Sequence, residues 1–87
     1  KVNSNDKVTA TIAGRCCESG DIIQENVEIT KPTRGDIIAV AVTGAYNYSM
    51  ASNYNRITRP PIVAIENKTD RIIVKRESFE DLIKNEI

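Results

Sequence analysis

Chemically active side chains are concentrated in one short segment, residues 14–21, which reads Gly-Arg-Cys-Cys-Glu-Ser-Gly-Asp. The segment places two thiols beside the carboxylates of Glu18 and Asp21. Ser-Gly-Asp is typical of the tip of a turn, and cysteines often fill small apolar spaces. Composition alone therefore favours a wide structural turn, while the reactive groups make a catalytic or binding segment the alternative.

The number and spacing of the cysteines restrict the chemistry of this segment. Cys16 and Cys17 are the two cysteines of the chain. Adjacent cysteines pair only with strained geometry, and two cysteines alone cannot complete a zinc site. We therefore expect two free thiols, no metal and a reducing, cytoplasmic location.

A second segment, residues 44–56, contains all three tyrosines: Tyr46, Tyr48 and Tyr54. It has neither the alternation of an exposed strand nor a clean helical stripe. Its Tyr, Ser and Asn side chains offer hydroxyl and amide groups without charge. The segment is either an ordinary loop whose tyrosines pack on a sheet or a loop that lines a site.

The absence of histidine narrows the possible functions. Without His, the 87-residue chain lacks the commonest metal ligand and the commonest general base near neutral pH. Ser/His/Asp and Cys/His nucleophile systems are excluded within the chain. The spacing of its four glycines matches neither common phosphate-binding loop. We expect part of an enzyme rather than a complete one.

Charge and hydropathy argue against two classes of partner. Twelve basic and twelve acidic residues cancel, and the chain has one Phe and no Trp, so we expect no nucleic-acid binding. No apolar run approaches the length of about 20 residues that a membrane span requires. The N-terminal residues show no signal-peptide pattern, so we expect no membrane association.

Apolar patterning predicts one small domain of about five strands. Alternating residues predict strands over 7–13 and 22–29; the second has Ile23, Val27 and Ile29 as inward positions and an irregularity at Glu25-Asn26. Turn residues fill 32–35. The unbroken apolar run 36–43 predicts a strand covered on both faces.

The C-terminal part predicts a hairpin followed by a short helix. Residues 62–66 and 71–76 flank a predicted four-residue loop. Ser78 is a good N-cap, and Phe79, Leu82 and Ile83 fall on one helical face. Strands and turns at this spacing indicate a barrel or a sandwich.

Three motifs in order resemble one family. Cys-Glu-Ser-Gly-Asp at 17–21, Gly-Ala-Tyr at 44–46 and Ser-Met-Ala-Ser-Asn-Tyr-Asn at 49–55 are similar to the C-terminal region of the diaminopimelate decarboxylase family. These are pyridoxal-phosphate-dependent decarboxylases of fold type III, with an alanine-racemase-like fold. The resemblance extends from about residue 8 to 83 and includes the tail at 75–82.

The resemblance implies a mainly β fold and an incomplete set of functional groups. The expected architecture is a Greek-key-like β-barrel, complete or lacking a strand, with a short C-terminal helix. Residues 1–87 would be the C-terminal domain fragment of a two-domain enzyme without its TIM-like cofactor-binding barrel. The barrel would hold most of the pyridoxal 5'-phosphate, so the fragment is expected to be inactive alone.

The resemblance also implies roles for three residues. Cys17 would return a proton to the substrate carbon after decarboxylation, a task suited to a thiol, whose ordinary pKa of about 8.5 keeps it mostly protonated at neutral pH. Glu18 would bind the distal ammonium of the amino-acid substrate, meso-2,6-diaminopimelate. Tyr46 would contact the cofactor phosphate, the substrate or both. Cys16 would only pack.

The family forms homodimers with shared active sites. Cys17 and Glu18 would serve the site of the partner subunit, and Tyr46 the site of its own. Asp21 is expected to cap the loop or to orient the backbone of Cys17 and Glu18, whereas Arg56 and Arg59 are expected to be surface or interface cations. Two alternatives stay open: a related ornithine- or arginine-type decarboxylase, of which the ornithine type carries an aspartate at the position of Glu18, and a non-catalytic β-barrel interaction module.

Overall fold

The computed structural model of the protein describes residues 5–87 and divides them into two compact units, with the boundary after Val40. The first unit contains strands β1 (Lys7–Ala13) and β2 (Ile22–Thr30). The second contains helix α1 (Asn47–Met50), a 3-10 turn (Tyr54–Arg56), strands β3 (Ile62–Glu66) and β4 (Thr69–Val74), and helix α2 (Phe79–Ile83).

Strands β1 and β2 form an antiparallel pair that runs from Lys7 opposite Thr30 to Ala13 opposite Ile22. Along β1 the half-buried residues are Val8, Ala10 and Ile12, and their neighbours are exposed. The period of two predicted for this strand is therefore confirmed.

An irregularity interrupts this pair where the sequence predicted it. Ala10 lies opposite Val27 and Ile12 opposite Gln24, so Glu25 and Asn26 together face Thr11 and β2 carries one extra residue. Asn26 has a positive φ of 51°, which asparagine tolerates better than most residues.

The pairing of β2 around Ile23 is irregular as well. Val27 and Ile29 are half-buried as predicted, but Ile23 is 48% exposed. A second register shift follows, because Ile12 lies opposite Gln24 and Ala13 opposite Ile22, so Ile23 is skipped in the pairing. The prediction that Ile23 points inward is wrong.

The segment 36–43 is not a strand, and that prediction is also wrong. It follows a turn in which the Asp36 amide donates to the Thr33 carbonyl at 3.0 Å, with Gly35 at φ 95°. Ile37 is 96% and Val42 102% exposed. A strand covered on both faces needs neighbours to pair with, and no strand of residues 5–87 pairs with this segment.

Strands β3 and β4 form a hairpin with a shorter connection than predicted. Asn67 and Lys68 alone link the strands, with φ values of 51° and 60°. Two consecutive positive φ values are the signature of a type I′ turn, whose twist matches that of the flanking strands. Thr69 and Asp70 therefore belong to β4 instead of to a four-residue loop.

Helix α2 begins as the sequence predicted. The Ser78 hydroxyl accepts a hydrogen bond from the Asp81 amide at 3.3 Å, and the Asp81 carboxylate accepts one from the Ser78 amide at 2.8 Å. This reciprocal capping box satisfies donors at the helix start that would otherwise be unpaired. The bond from the Ser78 amide, and then a bond that the Ser78 hydroxyl donates to the Asp81 carboxylate at 3.1 Å, hold the pKa of Asp81 below its ordinary value.

The mainly β character of the chain is confirmed, but the strands of residues 5–87 form two separate two-stranded sheets instead of a closed barrel. No hydrophobic side chain in the described part of the chain is fully buried, so neither unit has a core of its own. None of the helices within residues 5–87 is long and apolar enough to cross a membrane.

Candidate functional site

The turn between β1 and β2 is closed by backbone hydrogen bonds at its base and near its tip. The Gly14 amide donates to the Asp21 carbonyl at 2.9 Å, and the Asp21 amide donates to the Glu18 carbonyl at 3.1 Å. These bonds satisfy polar backbone groups in a segment that belongs to neither strand. Residues 15–20 are thus held as one compact turn at the end of the hairpin.

The Asp21 carboxylate organises the interior of this turn. Its Oδ2 atom accepts a hydrogen bond from the Cys16 amide at 2.8 Å. The carboxylate also lies against Gly14, where a Cβ atom would collide with it. With the carboxylate in this position there is no room for a Cβ atom at residue 14, so Gly14 and Asp21 act as a pair. The predicted loop-capping role of Asp21 is confirmed.

The two thiols occupy different environments. Cys16 is half-buried, and Cys17 is exposed with a left-handed backbone φ of 52°. Partial burial, then the hydrogen bond to Asp21 and its charge, raise the pKa of the Cys16 thiol. The expected free thiols are present, and the more accessible one is Cys17.

Glu18 follows Cys17 directly and is exposed. Its carboxylate folds back over the turn, where a Cβ atom added at Gly20 would lie 2.8 Å from Oε2. The Ser19 hydroxyl donates a long hydrogen bond to this carboxylate at 3.5 Å. The turn therefore presents a thiol and a carboxylate side by side.

Tyr46 lies in the second unit, as the N-cap residue of α1. Its carbonyl accepts hydrogen bonds from the Met50 amide and the Ser49 hydroxyl, both at 2.9 Å. The Tyr46 side chain is 72% exposed and that of Tyr54 is 53% exposed. The interpretation of residues 44–56 as a loop with tyrosines packed on a sheet is therefore not supported at these two residues.

A group that sequence reasoning missed lies beside this loop. The Glu77 carboxylate accepts hydrogen bonds from the Arg59 amide at 2.7 Å, the Asn53 side-chain amide at 2.6 Å and the Arg59 guanidinium at 3.0 Å. These bonds, led by the one from the Arg59 amide, hold the pKa of Glu77 below its ordinary value. Arg59, which the sequence suggested was a surface or interface cation, is a half-buried partner of Glu77.

No group of three His, Cys, Asp or Glu side chains within residues 5–87 is arranged to hold a metal ion. The chemistry available from the described residues is that of a thiol, carboxylates and phenols. It suits proton transfer and the binding of ammonium or phosphate groups.

Comparison with protein families gives a match over the first half of the chain. The family described as pyridoxal-dependent decarboxylase, C-terminal sheet domain, matches residues 1–44.

Named relatives match over nearly the whole chain. Diaminopimelate decarboxylase of Bacillus subtilis is 51% identical over 93% of this chain. The enzyme of the same name from Mycobacterium tuberculosis is 41% identical over 100% of it. This chain covers 18% and 20% of these two relatives, about a fifth of their length.

Solved structures agree with this comparison. A crystal structure of diaminopimelate decarboxylase from M. jannaschii superimposes with a TM-score of 0.88 at 41% identity, over 95% of this chain and 19% of that one. A second structure of that enzyme, in complex with L-lysine, gives the same TM-score, identity and coverage.

Proposed function

We infer the function from one premise: this chain belongs to the pyridoxal-dependent decarboxylase family, which it matches through the C-terminal sheet domain. We propose that it is the C-terminal part of a diaminopimelate decarboxylase, which converts meso-2,6-diaminopimelate to L-lysine and carbon dioxide. The observation that carries the proposal is the turn at 14–21, which presents the exposed Cys17 beside Glu18.

Cys17 is the proposed proton donor. Pyridoxal phosphate, when bound, supplies an electron sink for the pair left behind by the departing carbon dioxide. The thiol of Cys17 gives its proton to the substrate carbon that lost the carboxylate, and the sulfur regains a proton from water. The left-handed backbone at Cys17 sets the direction of this side chain, and Asp21 fixes the preceding amide.

Glu18 is the proposed substrate ligand. Its exposed carboxylate can form a charge-assisted hydrogen bond with the ammonium group at the far end of the substrate. The adjacent position of Cys17 means that one turn both grips the substrate and returns its proton. This supports a substrate with a second amino group, as in diaminopimelate.

Tyr46 is the proposed ligand of the cofactor phosphate or of the substrate. Its exposed phenol can donate to an anionic oxygen, which fits either partner. The chain has no glycine-rich phosphate loop, so its contribution to cofactor binding is limited to such side-chain contacts. A separate barrel domain would supply the remaining cofactor ligands.

The proposed assembly is a homodimer with shared active sites. Neither unit of this chain has a fully buried hydrophobic side chain within residues 5–87. A two-domain dimer would cover apolar surface that this chain leaves exposed. The chain alone is proposed to be inactive.

The test compares Cys17→Ala with Cys16→Ala in the intact decarboxylase that contains this chain. Loss of a proton donor is expected to lower turnover of diaminopimelate by about 10²-fold or more. Cys16→Ala is the matched control, because it removes the neighbouring thiol and leaves the backbone amide that Asp21 binds. Cofactor absorbance and dimer mass should be the same in both variants.

Full turnover by the Cys17→Ala enzyme would contradict the role of Cys17 and favour a non-catalytic module. A substrate panel tests Glu18 separately. The parent enzyme should prefer diaminopimelate to ornithine and arginine, and Glu18→Gln should raise the KM for diaminopimelate. A parent that prefers ornithine would contradict the proposed substrate.

A further inference from the structure

Three segments of the second unit meet at one carboxylate, that of Glu77. Its Oε2 atom accepts from the Arg59 amide and from Asn53 Nδ2, and its Oε1 atom accepts from Arg59 Nη1. In return, the Glu77 amide donates to the Arg59 carbonyl at 3.2 Å. The segment after β4 is thereby fastened to the segment before β3 through both backbone and side chain.

Arg59 extends this network to the loop that carries the tyrosines. While Nη1 binds Glu77, Nε donates to the Ala51 carbonyl at 2.9 Å. Asn53 likewise binds two groups, since its Nδ2 atom also donates to the Ile57 carbonyl at 3.1 Å. Residues 51–57 are therefore held at both ends by side chains that Glu77 orients.

The connection to Tyr46 runs through a single helical turn. Ala51 is the C-cap residue of α1, and Tyr46 is its N-cap residue. A helix of four residues cannot hold itself in water, because helix nucleation is unfavourable and short helices need tertiary contacts. The Arg59 bond to Ala51 supplies such a contact at the end opposite Tyr46.

The burial of these groups distinguishes them from an ordinary surface ion pair. The side chains of Arg59 and Glu77 are 38% and 23% exposed. The ion pair between Arg56 and Glu86 has the same 3.0 Å distance, but its side chains are 67% and 59% exposed. Exposed pairs contribute little, whereas a guanidinium that bonds two segments in fixed directions sets geometry.

We propose that Glu77 is a positioning residue for the decarboxylase site: through Arg59 and Asn53 it fixes the turn that carries Tyr46. This inference rests on the proposed function, in which Tyr46 contacts the cofactor or the substrate. Glu77 touches neither and acts through the loop.

The first test is a double-mutant cycle in the intact decarboxylase, with Glu77→Gln and Tyr46→Phe made singly and together. If Glu77 acts through Tyr46, Glu77→Gln should lower kcat/KM by roughly 10-fold in the parent, since small misplacements of a contact group are costly. On the Tyr46→Phe background the same change should have an effect of less than about 2-fold. Glu80→Gln, which alters an exposed glutamate of α2, is the matched control and should leave kcat/KM unchanged.

The second test reads the loop directly, without activity. Hydrogen exchange of backbone amides in residues 46–57 should become faster in Glu77→Gln and stay at the parent rate in Glu80→Gln. Arg59→Lys offers a second variant should Glu77→Gln fail to fold. It keeps the charge but cannot bond Ala51 and Glu77 in the same directions, and it should accelerate the same amides.

The outcomes separate the two proposals. If Tyr46→Phe alone leaves kcat/KM unchanged, the proposed role of Tyr46 fails. If Tyr46→Phe lowers kcat/KM but Glu77→Gln lowers it by the same factor on both backgrounds, or leaves amide exchange unchanged, the positioning role of Glu77 is overturned.

Discussion

The Asp21 carboxylate accepts a hydrogen bond from the Cys16 amide at 2.8 Å, immediately before the left-handed residue Cys17. A non-glycine residue with positive φ is disfavoured unless its surroundings hold it there. The contact between Asp21 and Cys16 provides such support. The Asp21 carboxylate at one end of the turn thereby helps to fix the direction of the exposed Cys17 thiol.

The first prediction concerns this carboxylate. Asp21→Ala removes the acceptor for the Cys16 amide and should lower kcat of the intact decarboxylase by roughly 10-fold, because Cys17 is no longer held in place. Asp21→Asn retains an acceptor oxygen and should have a smaller effect. Asp70→Asn, in the exposed part of β4, is the control. An Asp21→Ala enzyme with parental kcat would contradict the positioning of Cys17 by Asp21.

The second prediction concerns the unequal thiols. At pH 8, iodoacetamide should modify Cys17 several-fold faster than Cys16, since the thiolate is the reactive form and burial with Asp21 raises the pKa of Cys16. Peptide mass spectrometry of this chain resolves the two positions. Asp21→Asn removes the negative charge beside Cys16 and should reduce the difference in labelling rate between the two thiols. Equal labelling rates of both thiols in the parent would contradict the predicted difference in reactivity between Cys17 and Cys16.

The third prediction compares two glycines. A Cβ atom at Gly14 would collide with the Asp21 carboxylate, whereas one at Gly44 meets nothing within 4 Å. Gly14→Ala should displace the Asp21 carboxylate and lower the stability of the turn by about 1 kcal/mol, the value of the lost hydrogen bond to Cys16. Faster amide exchange in residues 14–21 would report this, with Gly44→Ala as the control. Amide exchange at the parent rate in Gly14→Ala would contradict this prediction, because it would mean that the Asp21 carboxylate avoids the new methyl group and keeps its hydrogen bond.

The fourth prediction is a pH dependence at Glu77. Hydrogen bonds from the Arg59 amide, Asn53 and the Arg59 side chain hold the pKa of Glu77 below its ordinary value of 4.5. A lowered pKa in the folded state means that the stabilisation is complete above pH 4.5 and is lost as the pH falls through the depressed value. The difference in amide protection of residues 51–59 between the parent and Glu77→Gln should therefore be constant from about pH 6 to 8 and shrink below pH 4.5. A difference that grows as the pH falls below 4.5, or that changes between pH 6 and 8, would contradict this pH dependence.

Elements stabilised by nearby residues could be predicted from the sequence. The alternation in β1 and the N-cap at Ser78 depend on residues within a few positions of one another. The bulge at Glu25-Asn26 was also visible as a break in the pattern. The exposure of Ile23 was not, because that depends on pairing across the sheet.

The prediction for residues 36–43 failed because an apolar run specifies burial without specifying what covers it. Ile37 and Val42 have the composition of a central strand, but no strand of residues 5–87 pairs with them. The apolar pattern predicts surroundings that cover both faces of a strand, and residues 5–87 do not supply such surroundings.

Only part of the candidate site could be predicted. The turn at 14–21 and the capping role of Asp21 follow from local turn chemistry. The bonds between Glu77 and Arg59 join residues on opposite sides of the β3–β4 hairpin, so their sequence positions gave no sign of the contact. A charged residue such as Arg59 looks like an ordinary surface cation until its partner is known.

Residues 37–43, Ile-Ile-Ala-Val-Ala-Val-Thr, make the isolated chain prone to aggregate. Seven residues with high strand propensity, no charge, no proline and no glycine match the composition that seeds cross-β stacking. Their backbone is unpaired with any strand of residues 5–87, so one molecule can template the next. A solution of this chain alone should therefore aggregate more slowly when it is dilute and cold than when it is concentrated. The substitution Val40→Lys should slow aggregation further.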